Sequence, residues 1–164
     1  YSKMPFCPLR YQIWPMQSGS HTLPQFGPHG AKYPHQPGAP FAAAAVSLPD
    51  ALDGLAMDLA PAYGSVPGLG RYRRSVHLTD TGLTLRDETD YPGTVALTLM
   101  SVEKPTVDGD TVAFGALAAA AVTGADKIVT EAVPIADPRL RQAWPDTLYR
   151  TRIYFTAALT VEVH

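Results

Sequence analysis

His21, His29 and His35 lie close together near the start of the chain. Imidazole is the side chain best suited to bind a metal or carry a proton near neutral pH. A zinc centre needs three or four nitrogen, sulfur or carboxylate donors about 2 Å from the ion. Separations of eight and six residues match no compact ligand motif, so spacing alone predicts solvated loop histidines. His77 falls on the outward side of a strand-like run, and His164 is the last residue. Cys7 is the lone cysteine, which excludes an intrachain disulfide and reads as an idle thiol. No serine sits in a nucleophile elbow. "GLGRYRR" sets Gly68 and Gly70 before Arg71, Arg73 and Arg74, a combination that suggests anion binding. A strand follows it, so the helix N-terminus that holds phosphate is missing, and a surface strand with basic residues is expected. Tyr11, Trp14, Tyr33 and Tyr72 are aromatics of the kind that sugar-binding surfaces use.

The elements that must position these residues are strands. In "LYRTRIYFTAALTVEV" Tyr149, Thr151, Ile153, Phe155, Ala157, Leu159, Val161 and Val163 share one face, and Arg150, Arg152 and Tyr154 lie on the other. Period two over that length is a long strand with one buried face. "RYRRSVHL" places Tyr72, Val76 and Leu78 on one side, and "GLTLRDE" sets Leu83 and Leu85 against Thr84 and Arg86. The intervening Thr79-Asp80-Thr81-Gly82 has hairpin-turn composition. "TVALTLMSV" alternates Val95, Leu97 and Leu99 with Thr94, Ala96 and Thr98, and Asp108-Gly109 turns the chain into "TVAFG". Leu9, Tyr11 and Ile13 alternate in the same way. Two stretches fit either helix or strand: Ala116 to Val122, where Val122, Thr123 and Gly124 favour strand over the helical alanines, and "DGLAMDLAPAYG", where a helix through Leu52, Leu55 and Leu59 competes with the preferred strand ending in a short helical turn before Tyr63. Residues 27–40 form a long loop rich in Gly, Pro and His. Short strands joined by turns, without βαβ alternation, predict an all-β fold: an antiparallel β-sandwich or stacked sheets.

The bulk numbers narrow the function classes. A charged content of 17% with 46% hydrophobic residues is globular, and 164 residues suit a single β-sandwich domain spanning 1–164. A net charge of −2 gives no basic face for nucleic acid. No apolar run reaches the roughly 18 residues of a membrane helix. The chain begins at Tyr1 and reads as a piece of a longer polypeptide.

"RYQIWPMQSGSHTLPQFG", followed by "HQPGAPFAAAAV", resembles the bacterial heparinase II/III-like family of polysaccharide lyases. The match runs through Arg10, Tyr11, Trp14, Gln17, Ser18, His21, Leu23 and Pro24, then Gln36, Gly38, Phe41 and Ala42. "MDLAPAYG", "YRRSVHL", "LTLRDE" and "WPDTLYRTRIYF" are similar to the strands and turn that follow in that family. The family's "HN" pair is His21-Thr22 here, with threonine in place of asparagine.

The resemblance implies a two-part enzyme, an α-helical toroid packed on a C-terminal antiparallel β-sandwich, that cleaves uronate-containing glycans by β-elimination. It implies that this chain is the later β portion and catalytically silent by itself. The N-terminal toroid and the early β segment with a catalytic histidine would lie outside it. It makes His21 one ligand of a zinc ion completed by an upstream histidine and aspartate. It also makes Arg10, Tyr11 and Gln17 contacts to an acidic polysaccharide. A single imidazole does not hold zinc, so in this chain alone His21 is expected to bond a loop carbonyl and no cofactor is expected. The rival reading is a non-catalytic carbohydrate-binding or structural β-sandwich module.

Overall fold

The structure, a computed structural model, describes residues 14–27, 44–50, 53–64 and 66–164. Among the described residues ten antiparallel strands run in chain order: β1 Pro24–Phe26, β2 Ala44–Ser47, β3 Gly54–Asp58, β4 Tyr72–Thr79, β5 Gly82–Thr89, β6 Val95–Ser101, β7 Thr106–Asp108, β8 Thr111–Phe114, β9 Ala118–Pro134 and β10 Thr147–Val163. Short 3-10 turns occupy Trp14–Met16, Ser18–Ser20, Ala60–Tyr63 and Leu140–Gln142. Among the described residues no helix is long and apolar enough to cross a membrane. The expected all-β antiparallel architecture is the observed one.

The strand order is β2-β3-β4-β5-β10-β9-β8-β7, with β1 and β6 branching from β10. The branch makes the layers. Along one edge β10 pairs with β6 through Tyr149–Phe155, then with β5 through Ala158–Val163, while its other edge follows β9. The two arms diverge where the register slips between Phe155 and Thr160. Their inward residues meet in one core that unites Phe26, Val95, Leu97, Ile153 and Phe155 with Tyr72, Leu85, Leu159 and Val161.

At that slip Ala157 takes φ 70°, and Gly124 on the facing strand takes φ 87°. A Cβ on Gly124 would meet the Ala158 carbonyl at 2.5 Å, so only glycine fits there. Left-handed backbone at a non-glycine costs roughly 1–2 kcal/mol. Ala157→Gly is therefore expected to raise stability by about 0.5–1 kcal/mol in denaturant unfolding, after the extra chain entropy of glycine is offset. A lower midpoint would contradict a left-handed Ala157.

Several details depart from the strand-period expectation. Arg74 is buried rather than on a basic surface, because it shares the inward face of β4 with Tyr72. Leu78 is exposed, because the end of β4 runs past the core. β6 buries Ala96 and Thr98 as well as Val95 and Leu97, so both of its faces are covered. Tyr154 is likewise buried on the face of β10 expected to be outward. Residues 14–20, which lead to His21, are a pair of 3-10 turns, as the Trp-Pro and Ser-Gly-Ser composition allows. The strand expected through Leu9, Tyr11 and Ile13 lies outside the described residues, as does most of the loop 27–40.

The short elements agree with their sequence signals. Asp80 and Thr81 connect β4 to β5 with Thr79 facing Gly82, and Gly109 turns β7 into β8 at φ 55°. The strand read over Ala116 to Val122 begins at Ala118 and runs on to Pro134, well beyond the reading, and Gly54–Asp58 is a strand that leads into the turn ending at Tyr63.

Candidate functional site

His21 stands on an exposed turn that opens β1. The Gln17 amide donates to the Trp14 carbonyl at 3.1 Å, Ser20 to Gln17 at 2.9 Å and His21 to Ser18 at 3.1 Å, which winds residues 14–21 into successive tight turns. The His21 Nε2 lies 2.8 Å from the Pro15 carbonyl oxygen. A carbonyl only accepts, so Nε2 carries a proton, and in the neutral ring the lone pair is then on Nδ1. That is the arrangement expected for a histidine bonded to a loop carbonyl, and it leaves a nitrogen able to ligate or take a proton. Trp14 packs against Trp144, from the connection between β9 and β10, with ring centroids 5.7 Å apart. Gln17 is half-buried within the turn. Arg10, Tyr11, Cys7, His29 and His35 lie outside the described residues.

Two arginines hold this turn from different sides. Arg74 Nη1 donates to the Thr22 carbonyl at 2.6 Å. The same guanidinium meets Asp87 in a fork, Nε to Oδ1 and Nη2 to Oδ2, both at 2.7 Å. The Tyr72 hydroxyl donates to Asp87 Oδ2 at 2.6 Å. Arg74 is 6% exposed and Asp87 0%. Burial alone would drive the proton from Arg74, but the hydrogen bonds and charge of Asp87 outweigh it and hold the cation above its ordinary range. Burial pushes the Tyr72 phenol well up, and the Asp87 carboxylate adds to the rise. Tyr63 is raised for the same first reason, and its hydroxyl is buried without a hydrogen-bond partner. This network is a fixed strut, because one buried carboxylate accepts both bonds of the guanidinium fork and the phenol bond as well.

On the other side, Arg150 Nη2 reaches Ser20 Oγ at 3.4 Å. Arg150 and Arg152 both turn to Glu131 Oε1, at 3.2 Å and 2.9 Å. Arg150 faces Glu131 across the β9–β10 ladder, and Arg152 faces Thr98 across the β6–β10 ladder. Burial first, then the neighbouring Arg152 cation, lowers the Arg150 guanidinium from its ordinary value, with Glu131 opposing. A basic pair sharing one carboxylate thus sits beside the residue preceding His21.

Sequence reasoning reached His21 and Gln17, took Arg74 for a surface residue, and assigned no site role to Asp87, Arg150, Arg152 or Glu131. A signal for the first pair was present: period two puts Arg74 on the Tyr72 face and Asp87 on the Leu85 face, so two opposite charges point inward. For the second group, only the pairing of β9 with β10 brings Glu131 to the arginines.

A separate shallow groove of about 530 Å³ lies among β2, β3 and β4, lined by Leu48, Asp53, Leu55, Val76 and His77 among others. His77 is exposed there, as expected, with Nδ1 3.7 Å from Asp53 Oδ2. Among the described residues no group of three or more His, Cys, Asp or Glu is placed to hold a metal ion. Comparison with protein-family models finds none that matches this chain, and comparison with curated proteins finds no match either.

Proposed function

We propose that this chain is the C-terminal β-sandwich portion of a heparinase II/III-like polysaccharide lyase, carrying one wall of a cleft for uronate-containing glycans. The observation that carries the reading is the His21 turn. Its imidazole is exposed, has its tautomer fixed by the Pro15 carbonyl, and is flanked by residues held by Arg74 and Arg150. β-Elimination at a uronate needs a base within hydrogen-bond reach and positive charge to neutralise the carboxylate. The turn brings a free imidazole nitrogen and a guanidinium pair to one region. Zinc, where the parent binds it, would take His21 Nδ1 as one donor. The other donors would come from outside the described residues, and the metal would supply Lewis-acid or structural charge. What this chain's residues do is orient that imidazole and set guanidinium charge beside its turn.

The test uses the longer polypeptide expected to contain this chain. It should release unsaturated uronate, followed by ultraviolet absorbance, from an acidic polysaccharide. His21→Ala should lower that activity at least about 10–100-fold, the range seen when a metal centre is perturbed. The present chain alone should release none. Full activity in the His21→Ala enzyme, or turnover by this chain alone, would overturn the reading.

The half-exposed Trp14–Trp144 pair favours a second reading, a non-catalytic carbohydrate-binding module, because stacked aromatics present apolar area to sugar rings. Glycan binding by the longer polypeptide without any cleavage would select it.

A further inference from the structure

We propose that Arg150, Arg152, Thr98 and Ser20 form an oxyanion-binding site on the face of β6–β10–β9 away from the hydrophobic core, in which Glu131 stands where a carboxylate or sulfate ligand binds. Assigning that oxyanion to a glycan rests on the lyase reading; the site itself does not.

The donors outnumber their acceptors. Each guanidinium presents five N–H groups in a rigid fork suited to two oxygens at once. Here both forks converge on a single oxygen, Glu131 Oε1, and Ser20 Oγ is a long contact at 3.4 Å. Arg150 Nε is buried with no hydrogen-bond partner. The two arginine side chains are only 16% and 15% exposed, so their like charges face one another with one carboxylate between them. Burying cations that are incompletely paired is costly, and an added anion relieves that cost.

An independent observation lies on the adjacent strand. Thr98 is 0% exposed, and its Oγ1 has no hydrogen-bond partner. It sits directly across the ladder from Arg152. An orphan hydroxyl beside an underpaired guanidinium, on a sheet face opposite the hydrophobic core, is polar equipment that packing does not explain. Glu131 is the most exposed member at 41%, so it can swing outward and yield its place. A trigonal carboxylate or a tetrahedral sulfate would satisfy both forks with separate oxygens.

Sodium glucuronate and sodium sulfate are titrated separately into the chain at constant ionic strength, with chloride as the balancing salt. Binding is followed by calorimetry and by the side-chain Nε resonances of arginine. Saturable binding of at least one oxyanion is expected, with a shift of the Arg150 and Arg152 resonances. Glucuronate alone identifies a carboxylate ligand, sulfate alone a sulfate ester, and both together a general oxyanion site. Arg152→Gln should abolish the saturable phase. Glu131→Gln removes the resident competitor and should tighten binding about tenfold, a gain that a misfolded variant does not give. No saturable binding to wild type, or weaker binding by Glu131→Gln, overturns the proposal. Lyase failure in the longer polypeptide leaves these titrations unchanged, and lyase activity with a silent titration overturns this site alone.

Discussion

Asp87→Asn is expected to destabilise the fold by about 3–5 kcal/mol, the cost of leaving a buried cation without its partner. For a chain of this size that corresponds to a fall in Tm of roughly 6–20 °C. The carboxylate accepts three hydrogen bonds, two from Arg74 and one from Tyr72, at 2.6–2.7 Å. Asparagine keeps the shape, but its amide NH2 turns toward donors and the charge is lost. Arg74 then stays in the core as an unpaired cation. The combined variant Arg74→Met, Asp87→Leu, Tyr72→Phe should recover most of the loss, because replacing every member of a buried polar cluster removes the desolvation penalty. That variant also lacks the bond to the Thr22 carbonyl. Its His21 ring resonances should therefore shift although stability returns. Thermal unfolding reads the first effect and NMR the second. A loss below 1 kcal/mol in Asp87→Asn would show that the network is not a buried ion pair.

Phe26→Ala is expected to cost about 3–5 kcal/mol, the usual range for removing a buried phenyl ring. Phe26 is buried at the junction of the two arms, and its ring lies edge-on to Tyr63, Tyr72 and Tyr91 with centroids 4.9, 5.6 and 5.2 Å apart. β1 is only three residues long and pairs with β6 alone. Three residues of ladder do not hold a strand, so the ring is its main attachment. The substitution should thus open residues 24–26 before the remainder unfolds, and hydrogen exchange at Gln25 should approach that of an unprotected amide. The His21 turn would lose one of its supports at the same time. Retained protection at Gln25 would show that β1 is held by its hydrogen bonds instead.

Much of the fold was legible because side-chain alternation is local information. The hairpin at Asp80-Thr81, the turn at Gly109 and the long final strand follow from period two and turn chemistry within short windows. The strand read over Ala116 to Val122 was legible in part, from Val122 and Thr123, but it begins at Ala118 and its continuation to Pro134 was not read. The site was legible only at His21, whose type and neighbours drew attention, and at Gln17. Arg74 was misread as surface although alternation sets it on the Tyr72 face, because its basic side chain was weighed above its position in the strand. Asp87 meets it only when β4 and β5 are set in register.

What the sequence determined by itself is a set of strands, the alternation of side chains along them and the turns between them, since each depends on neighbours within a few residues. The tertiary structure decided which arm each strand joins and how β10 serves both arms through a left-handed alanine. It also decided which charges share a carboxylate. Those outcomes depend on pairings between segments far apart in the chain, such as Thr22 with Arg74 and Ser20 with Arg150. The energies that select them, desolvation and close-range hydrogen bonding, exist only once the segments have met.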